Sequence, residues 1–269
     1  MKITLLTGNH PRHLYFVDQL SKISSDILWI IEERENHVPK PDGNLKIDLQ
    51  KLFRIHFDKR KKAEYDFFTI KSGELAKSKI NRLIKIVKED LYNGKLKNII
   101  SSNETDLLIT YGCGRIPNDI LNLIKLYKWN VHGGLSPWYR GVITHFWPSY
   151  LLEPEFTGMT LHELTDKIDG GDIIHQTSVT INKNDGIHDN ASRTVKEFCD
   201  ILPGLFKNKL GQQQQLKGIS QHTTGRIWTN LMWNPLTLKV IYEVFNDKIN
   251  KYCIENKKLR VPKLLSILK

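Results

Sequence analysis

The first thirty-one residues set the strongest constraint on the fold. Ile3–Leu6 is a short apolar run, Gly8 and Asn9 supply a turn, and Leu14, Phe16, Val17, Leu20 and Ile23 recur at close to helical spacing. A second apolar run, Ile27–Ile31, follows at once. Strand, helix and strand with short connections read as a βαβ unit, which commits the chain to a parallel sheet covered by helices. Later segments repeat the theme. Asp106–Thr110 reads as a third strand ending in Tyr111-Gly112-Cys113-Gly114, and Pro117 opens a helix through Ile124. Trp129–His132 is a fourth strand, with further strands over Thr160–Leu164 and Asp172–Thr180. Glu33–Gln50 is polar, contains Pro39 and Pro41, and reads as a loop. From Glu64 to Lys97, the apolar positions Leu75, Ile80, Leu83, Ile84, Val87 and Leu91 read as one or two amphipathic helices. Ile187–Leu210 reads as a helix interrupted at Pro203, and Leu236–Ile249 as a final helix. The expected architecture is an α/β fold: a Rossmann-like, mostly parallel sheet with helices on both faces over residues 1–185, and a smaller helical C-terminal extension over 186–269.

Composition narrows the chemistry less than the pattern does. With 269 residues, 40% of them hydrophobic, the chain can bury a core. Its apolar runs fall far short of a membrane span, and Met1 leads into a strand rather than a secretory segment. Cys113, Cys199 and Cys253 are too scattered for a disulfide framework or a metal knuckle. The expectation is a cytoplasmic protein with no metal and no membrane partner. Lys and Arg exceed Asp and Glu by 40 to 29, a net +11 that attracts anions in general. The excess concentrates between Lys51 and Lys97, with fourteen basic against six acidic residues. Runs such as Lys59-Arg60-Lys61-Lys62 read as a solvated helix face. Charge alone leaves three classes open: a nucleic-acid binder, an enzyme acting on an anionic small molecule, and a basic scaffold.

Three polar groups sit where open parallel sheets place their sites, at and after strand ends. In Asn130-Val131-His132 the outer two side chains share one face of a strand. An imidazole can move a proton near neutral pH, and an amide N–H can stabilise a developing oxyanion. Asp169-Gly170-Gly171-Asp172 offers a carboxylate able to orient a histidine. Ser136-Pro137-Trp138-Tyr139-Arg140-Gly141 could frame a substrate mouth. Each alone has a plain reading: a histidine and an amide satisfied by backbone, a β-turn, a packed loop.

The ordered set is more specific. Asp106–Pro117, then N-x-H-x-x-x-x-P-x-Y-R-G over residues 130–141, then T-G-x-T-x-H over 157–162 running to Asp169-Gly170-Gly171-Asp172-Ile173, resembles the formyltransferases that use N10-formyltetrahydrofolate. The match is close over residues 106–174 and loose over the N-terminal βαβ. The resemblance implies that residues 1–185 are the catalytic domain and that Asn130, His132 and Asp169 are the catalytic residues. It implies direct attack of a substrate amine on the formyl carbonyl through a tetrahedral intermediate. Asn130 would bond the oxyanion, His132 would act as acid or base, and Asp169 would hold the histidine and relay protons. By the same resemblance Tyr111, Gly112, Ile116, Pro117, Leu164, Asp166 and Ile168 lie in the segments that line the pterin slot. His162 is then a support residue.

Two departures from the family pattern stand out. Residues 133–141 read Gly-Gly-Leu-Ser-Pro-Trp-Tyr-Arg-Gly where many members have S-L-L-P-x-Y-R-G, and no strand-rich C-terminal barrel follows. The ending, Gly225-Arg226-x-Trp228 with Trp233-Asn234-Pro235, looks more like the sugar N-formyltransferases of surface polysaccharide (O-antigen) biosynthesis. The expected partners are therefore the folate and a nucleotide-linked amino sugar such as a dTDP-sugar, with homodimerisation open and nucleic acid not expected. Arg12 and His13, in the turn after the first strand, and Tyr139 and Arg140 are the expected substrate-binding residues. The competing readings are formylation of another amine, such as methionyl-tRNA, and hydrolysis of the formyl-folate. A basic nucleic-acid or scaffold module would leave the ordered motifs without a role.

Overall fold

Five consecutive apolar or hydroxyl-bearing residues form β1 (Ile3–Thr7), buried throughout, and the chain turns at Gly8 into α1 (Pro11–Leu20), with Pro11 at the first helical turn. The computed structural model describes residues 1–24, 26–33, 39–68, 80, 82–210, 216–222 and 225–268. β2 (Ile27–Glu32) returns parallel to β1, followed by α2 (Ile47–Phe67), β3 (Arg82–Ile86) and α3 (Lys95–Asn103). Next come β4 (Leu107–Tyr111), the short α4 (Asn118–Leu121), β5 (Tyr127–His132) and β6 (Tyr139–Gly141). After α5 (Trp147–Tyr150) come β7 (Gly158–Glu163), β8 (Ile173–Ser178), α6 (Ile187–Lys209), β9 (Arg226–Trp228) and α7 (Ile249–Glu255).

Seven strands form one sheet in the order β3-β2-β1-β4-β5-β7-β8. The neighbours from β3 to β5 are parallel, while β5–β7 and β7–β8 are antiparallel. The chain is therefore α/β with a mostly parallel sheet, as expected. Apolar clusters cover both faces. One gathers Phe16, Leu20, Trp29, Trp129, Phe198 and Phe206; the other gathers Leu6, Ile30, Leu96, Leu108, Ile116 and Ile120.

Four expectations are corrected. The 33–50 segment is not all loop, since α2 begins at Ile47, and within 64–97 the Arg82–Ile86 stretch is an edge strand rather than helix. Leu75 and the glutamines at 212–215 lie outside the described residues. α6 runs through Pro203 without a break. An internal proline costs about 3 kcal/mol, but α6 buries Val195, Phe198, Leu202 and Phe206, each worth about 1.5–3 kcal/mol, so packing decides. Those side chains and Leu268 pack in the main core. Leu236–Ile249 is a 3₁₀ turn and a π-helical turn rather than one helix.

Candidate active site

The strand order reverses between β1 and β4, and such a switch point opens a crevice at the carboxyl ends of the strands. Thr7, Tyr111 and His132 end β1, β4 and β5 there. In β5, Trp129 and Val131 turn into the main core, which sends Asn130 and His132 to the opposite face together. β7 pairs antiparallel with β5 and sets His162 opposite Asn130 and Thr160 opposite His132. The turn after β7 brings Asp169 back across both. Its Oδ2 lies 3.3 Å from His132 Nδ1 and its Oδ1 lies 3.4 Å from His162 Nε2. The backbone N–H of Gly141 also donates to Oδ2 at 2.8 Å. Asp169 adopts φ 44°, a left-handed conformation uncommon for a side-chain-bearing residue and typical of functional turns.

Partner chemistry fixes the proton positions. His132 Nε2 is 2.7 Å from the Tyr139 carbonyl oxygen, which only accepts, so Nε2 carries a proton and Nδ1 is the atom open to exchange, facing Asp169. His162 Nδ1 donates likewise to the Glu163 carbonyl at 2.8 Å, so in the neutral ring Nε2 accepts from Asn130 Nδ2 at 3.1 Å. Asn130 Oδ1 accepts from Thr110 Oγ1 at 2.7 Å. The amide is thereby oriented, with one N–H on His162 and the second left to meet an oxygen in the cavity. Burial lowers the pKa of His132, and the Asp169 charge offsets only part of that. Burial opposes the charge on Asp169, yet His132, His162 and the Gly141 N–H together hold its carboxyl well below the ordinary range.

Small residues and hydroxyls hold this geometry. A Cβ at Gly134 would overlap both His132 Nε2 and the Tyr139 carbonyl oxygen. Thr160 Oγ1 donates to the Gly134 carbonyl at 2.8 Å and accepts from the Ser136 N–H at 3.0 Å, pinning the loop that carries these groups. Gly134→Ala is expected to push the imidazole off its carbonyl and lower kcat about 100-fold, since misplacement of about 1 Å can cost that much. Steady-state kinetics alongside a thermal melt check this; near-normal kcat in a folded variant would show that the Tyr139 bond is dispensable.

Asn130, His132 and Asp169 open on a cavity of about 510 Å³. It extends past Thr144 and His145 to Arg12, His13 and Tyr111, and ends at His56, Phe57, Arg60, His188 and Trp233. Burial lowers the pKa of His145 and of His56 to about 3 each, and that of His188 well below its ordinary value, so these imidazoles are neutral. Burial and the nearby Arg12 charge bring Arg60 down to about 10, leaving it cationic at neutral pH. Arg12 forms an ion pair with Glu64 at 2.5 Å, which outweighs burial and raises its pKa.

A family model described as formyl transferase matches residues 59–204, more than half of the chain and including the Asn130, His132 and Asp169 positions. The chain belongs to the formyl transferase family. A methionyl-tRNA formyltransferase of Natranaerobius thermophilus is 37% identical over 119 residues, covering 44% of this chain and 36% of that protein. This formyl transferase family chain thus spans little more than a third of that curated relative. In fold it is similar to a sugar N-formyltransferase from Shewanella sp., with TM-score 0.52, 17% identity and coverage of 86% of this chain and 78% of the other. It is also similar to an N-formyltransferase from Helicobacter canadensis solved with folinic acid and dTDP-3-aminofucose, with TM-score 0.50, 15% identity and coverage of 87% and 73%.

Within this formyl transferase fold, the remaining expected site residues divide into groups. Arg12, His13, Tyr111 and Gly112 line the cavity with the trio. The His13 imidazole occupies the space that Gly8 and Gly112 leave, since a Cβ on either would overlap it. Ile116 and Leu164 meet in one apolar cluster, with Pro117 half-buried beside it in sequence, while Asp166 and Ile168 are exposed. Tyr139 and Arg140 are not among the residues that line this cavity. The Tyr139 ring stacks on Trp228 and its hydroxyl donates to Glu153 at 2.9 Å, and buried Arg140 donates from Nε to the Ile168 carbonyl at 3.0 Å. What they give the site is backbone: the carbonyl under His132 and the path to Gly141. Sequence reasoning missed His56, Arg60, His145 and His188. For His56 and Arg60 a signal existed, because Leu49, Leu52, Phe53, His56, Phe57 and Arg60 recur at helical spacing.

Proposed function

We propose that this protein transfers a formyl group from N10-formyltetrahydrofolate to the amine of a nucleotide-linked amino sugar, a step of surface polysaccharide synthesis. The observation that carries it is the convergence of Asn130, His132 and Asp169 at one end of a cavity whose other end is cationic and aromatic. The groups present fit a folate. Ile116 and Leu164 share an apolar cluster, and the exposed irregular stretch from Thr165 to Ile168 leads directly into Asp169. A flat heterocycle can rest on the former and hydrogen-bond to the backbone of the latter. When bound, formyl-folate supplies the carbonyl carbon that the amine attacks.

The chain's own groups then have separable tasks. The second N–H of Asn130 meets the formyl oxygen as negative charge develops there; one such donor is worth about 10²–10³ in kcat. An amine attacks only when neutral, and a buried cavity carrying the Arg12 and Arg60 charges disfavours an ammonium. His132 Nδ1 would take the proton released as the new C–N bond forms and return it to N10 of the folate as the bond from the formyl carbon to N10 breaks. Asp169, 3.3 Å away, stabilises the resulting imidazolium. With Nε2 tied to the Tyr139 carbonyl throughout, the proton has one route, through Nδ1. Holding both reactants against these groups supplies the remaining acceleration by proximity.

Support for the sugar as acceptor comes from the anion-matched end of the cavity and from the fold's likeness to the Helicobacter canadensis enzyme crystallised with dTDP-3-aminofucose. The test is incubation with formyl donor and a panel of dTDP-, UDP- and GDP-linked amino sugars, read by mass spectrometry. A formyl-sized gain on one of them is expected. Failure with all and success with methionyl-tRNA would remove the sugar reading. Free formate released without an amine, as fast as transfer, would make the protein a hydrolase.

A further inference from the structure

The cavity end away from Asp169 is built from residues that the transfer step does not use. α2 contributes His56, Phe57 and Arg60, α6 contributes His188, and the segment between β9 and α7 contributes Trp233. The Arg60 guanidinium lies 4.7 Å over the Phe57 ring, and both side chains line the cavity. Trp233 packs against Phe57 at 6.4 Å, Phe146 at 6.3 Å and His56 at 6.1 Å. Its indole Nε1 is buried and, among the described residues, has no hydrogen-bond partner. An indole N–H can only donate. A buried donor left without an acceptor is costly, and the Trp233 side chain that carries it lines the cavity.

These features specify a ligand. Two guanidiniums, Arg12 and Arg60, share this end of the cavity with the carboxylate of Glu64, which favours an anion. Guanidiniums bind phosphate oxygens bidentately, and aromatic walls take planar bases. We propose that this end is the nucleotide subsite: Arg60 holds the diphosphate and Trp233, through its N–H and ring, holds the nucleoside. The assignment rests on the nucleotide-sugar reading above and places recognition on α2 and the C-terminal segment rather than on the Tyr139–Arg140 loop. The basic run 59–62 is then of two kinds. Lys59, Lys61 and Lys62 are exposed, while Arg60 alone turns into the cavity.

The experiment is calorimetric titration of the full chain with UDP, dTDP and GDP. At least one should bind. Trp233→Phe, which keeps the ring and loses the N–H, should weaken its Kd about tenfold. Arg60→Gln should weaken it more than tenfold and flatten its dependence on salt, whereas Lys61→Gln, the same charge change one residue on, should not move it. Arg60 is partly buried, so hydrogen–deuterium exchange on the unmodified protein provides a second measurement. The bound nucleotide should protect peptides spanning residues 56–60 and 230–236. Formylation of a nucleotide amino sugar with Kd unmoved in both variants, or protection confined to residues 133–141, would misplace the subsite and leave the activity standing. Protection of residues 56–60 by 5-formyltetrahydrofolate alone would give this end to the folate. Failure of every nucleotide to bind, with methionyl-tRNA accepting formyl, would overturn the activity and the subsite together.

Discussion

Asn130→Ala should lower kcat for formyl transfer by about 10²–10³ while the Kd for the folate changes little. The amide of Asn130 is held at three points: its oxygen accepts from Thr110, one N–H meets His162 Nε2, and its strand neighbours Trp129 and Val131 are locked in the core. The remaining N–H is therefore preorganised, needing no reorientation when charge appears on the formyl oxygen. Alanine leaves the strand intact and removes that donor together with the bonds to Thr110 and His162. An interaction made chiefly in the transition state lowers kcat and kcat/KM together. Single-turnover rates with the sugar identified from the panel, and a folate titration by fluorescence, separate the two effects. A kcat within about tenfold of the parent would remove Asn130 from the oxyanion role.

What the sequence made legible follows the range of the interactions involved. Asn130 and His132 share a strand face because side chains alternate, a local rule needing only the strand itself. The βαβ reading of the first thirty-one residues rests on equally local pattern and holds in the sheet order. Asp169 is another matter. Its approach to His132 depends on β7 pairing antiparallel with β5 in a register that sets Asn130 against His162. No local pattern encodes that register, and only the ordering of the motifs pointed to it. Tyr139 and Arg140 show the limit from the other side. A loop with an arginine and aromatics looks like a binding mouth, but which face of it meets the core is set by Trp228, some ninety residues later.

α2 was obscured by composition rather than by range. Its apolar positions are helically spaced from Leu49 onward, but they lie among lysines, and a lysine-rich face draws attention to solvent. Arg82–Ile86 was misread because an edge strand has only one hydrogen-bonded neighbour and little of it is buried, so its apolar pattern does not separate strand from helix. At Pro203 propensity was overruled by packing. The net +11 also divides in the structure. Most basic side chains of α2 are solvated, and Arg60 reaches the cavity.

Asp169→Asn should both slow the reaction, by about 10²–10⁴, and move the acid limb of the kcat/KM profile to lower pH. Asparagine is the informative replacement, because it tolerates the left-handed backbone at φ 44° and its amide oxygen can still accept from the Gly141 N–H. The direction of the pH shift follows from the two influences on His132. Burial pulls its pKa below the ordinary 6.5, and the Asp169 charge pulls it partly back up. His132 must be neutral to take the amine's proton, so activity rises with pH through that pKa and then levels. Removing the carboxylate leaves burial less opposed, the pKa falls further, and the limb moves down. The plateau drops at the same time, because the imidazolium formed during attack loses its counter-charge 3.3 Å away. A residue that merely braced the turn would lower the plateau without moving the limb, so the pH profile distinguishes the roles. A limb that stays in place or moves upward in a folded Asp169→Asn variant would take Asp169 out of the proton relay.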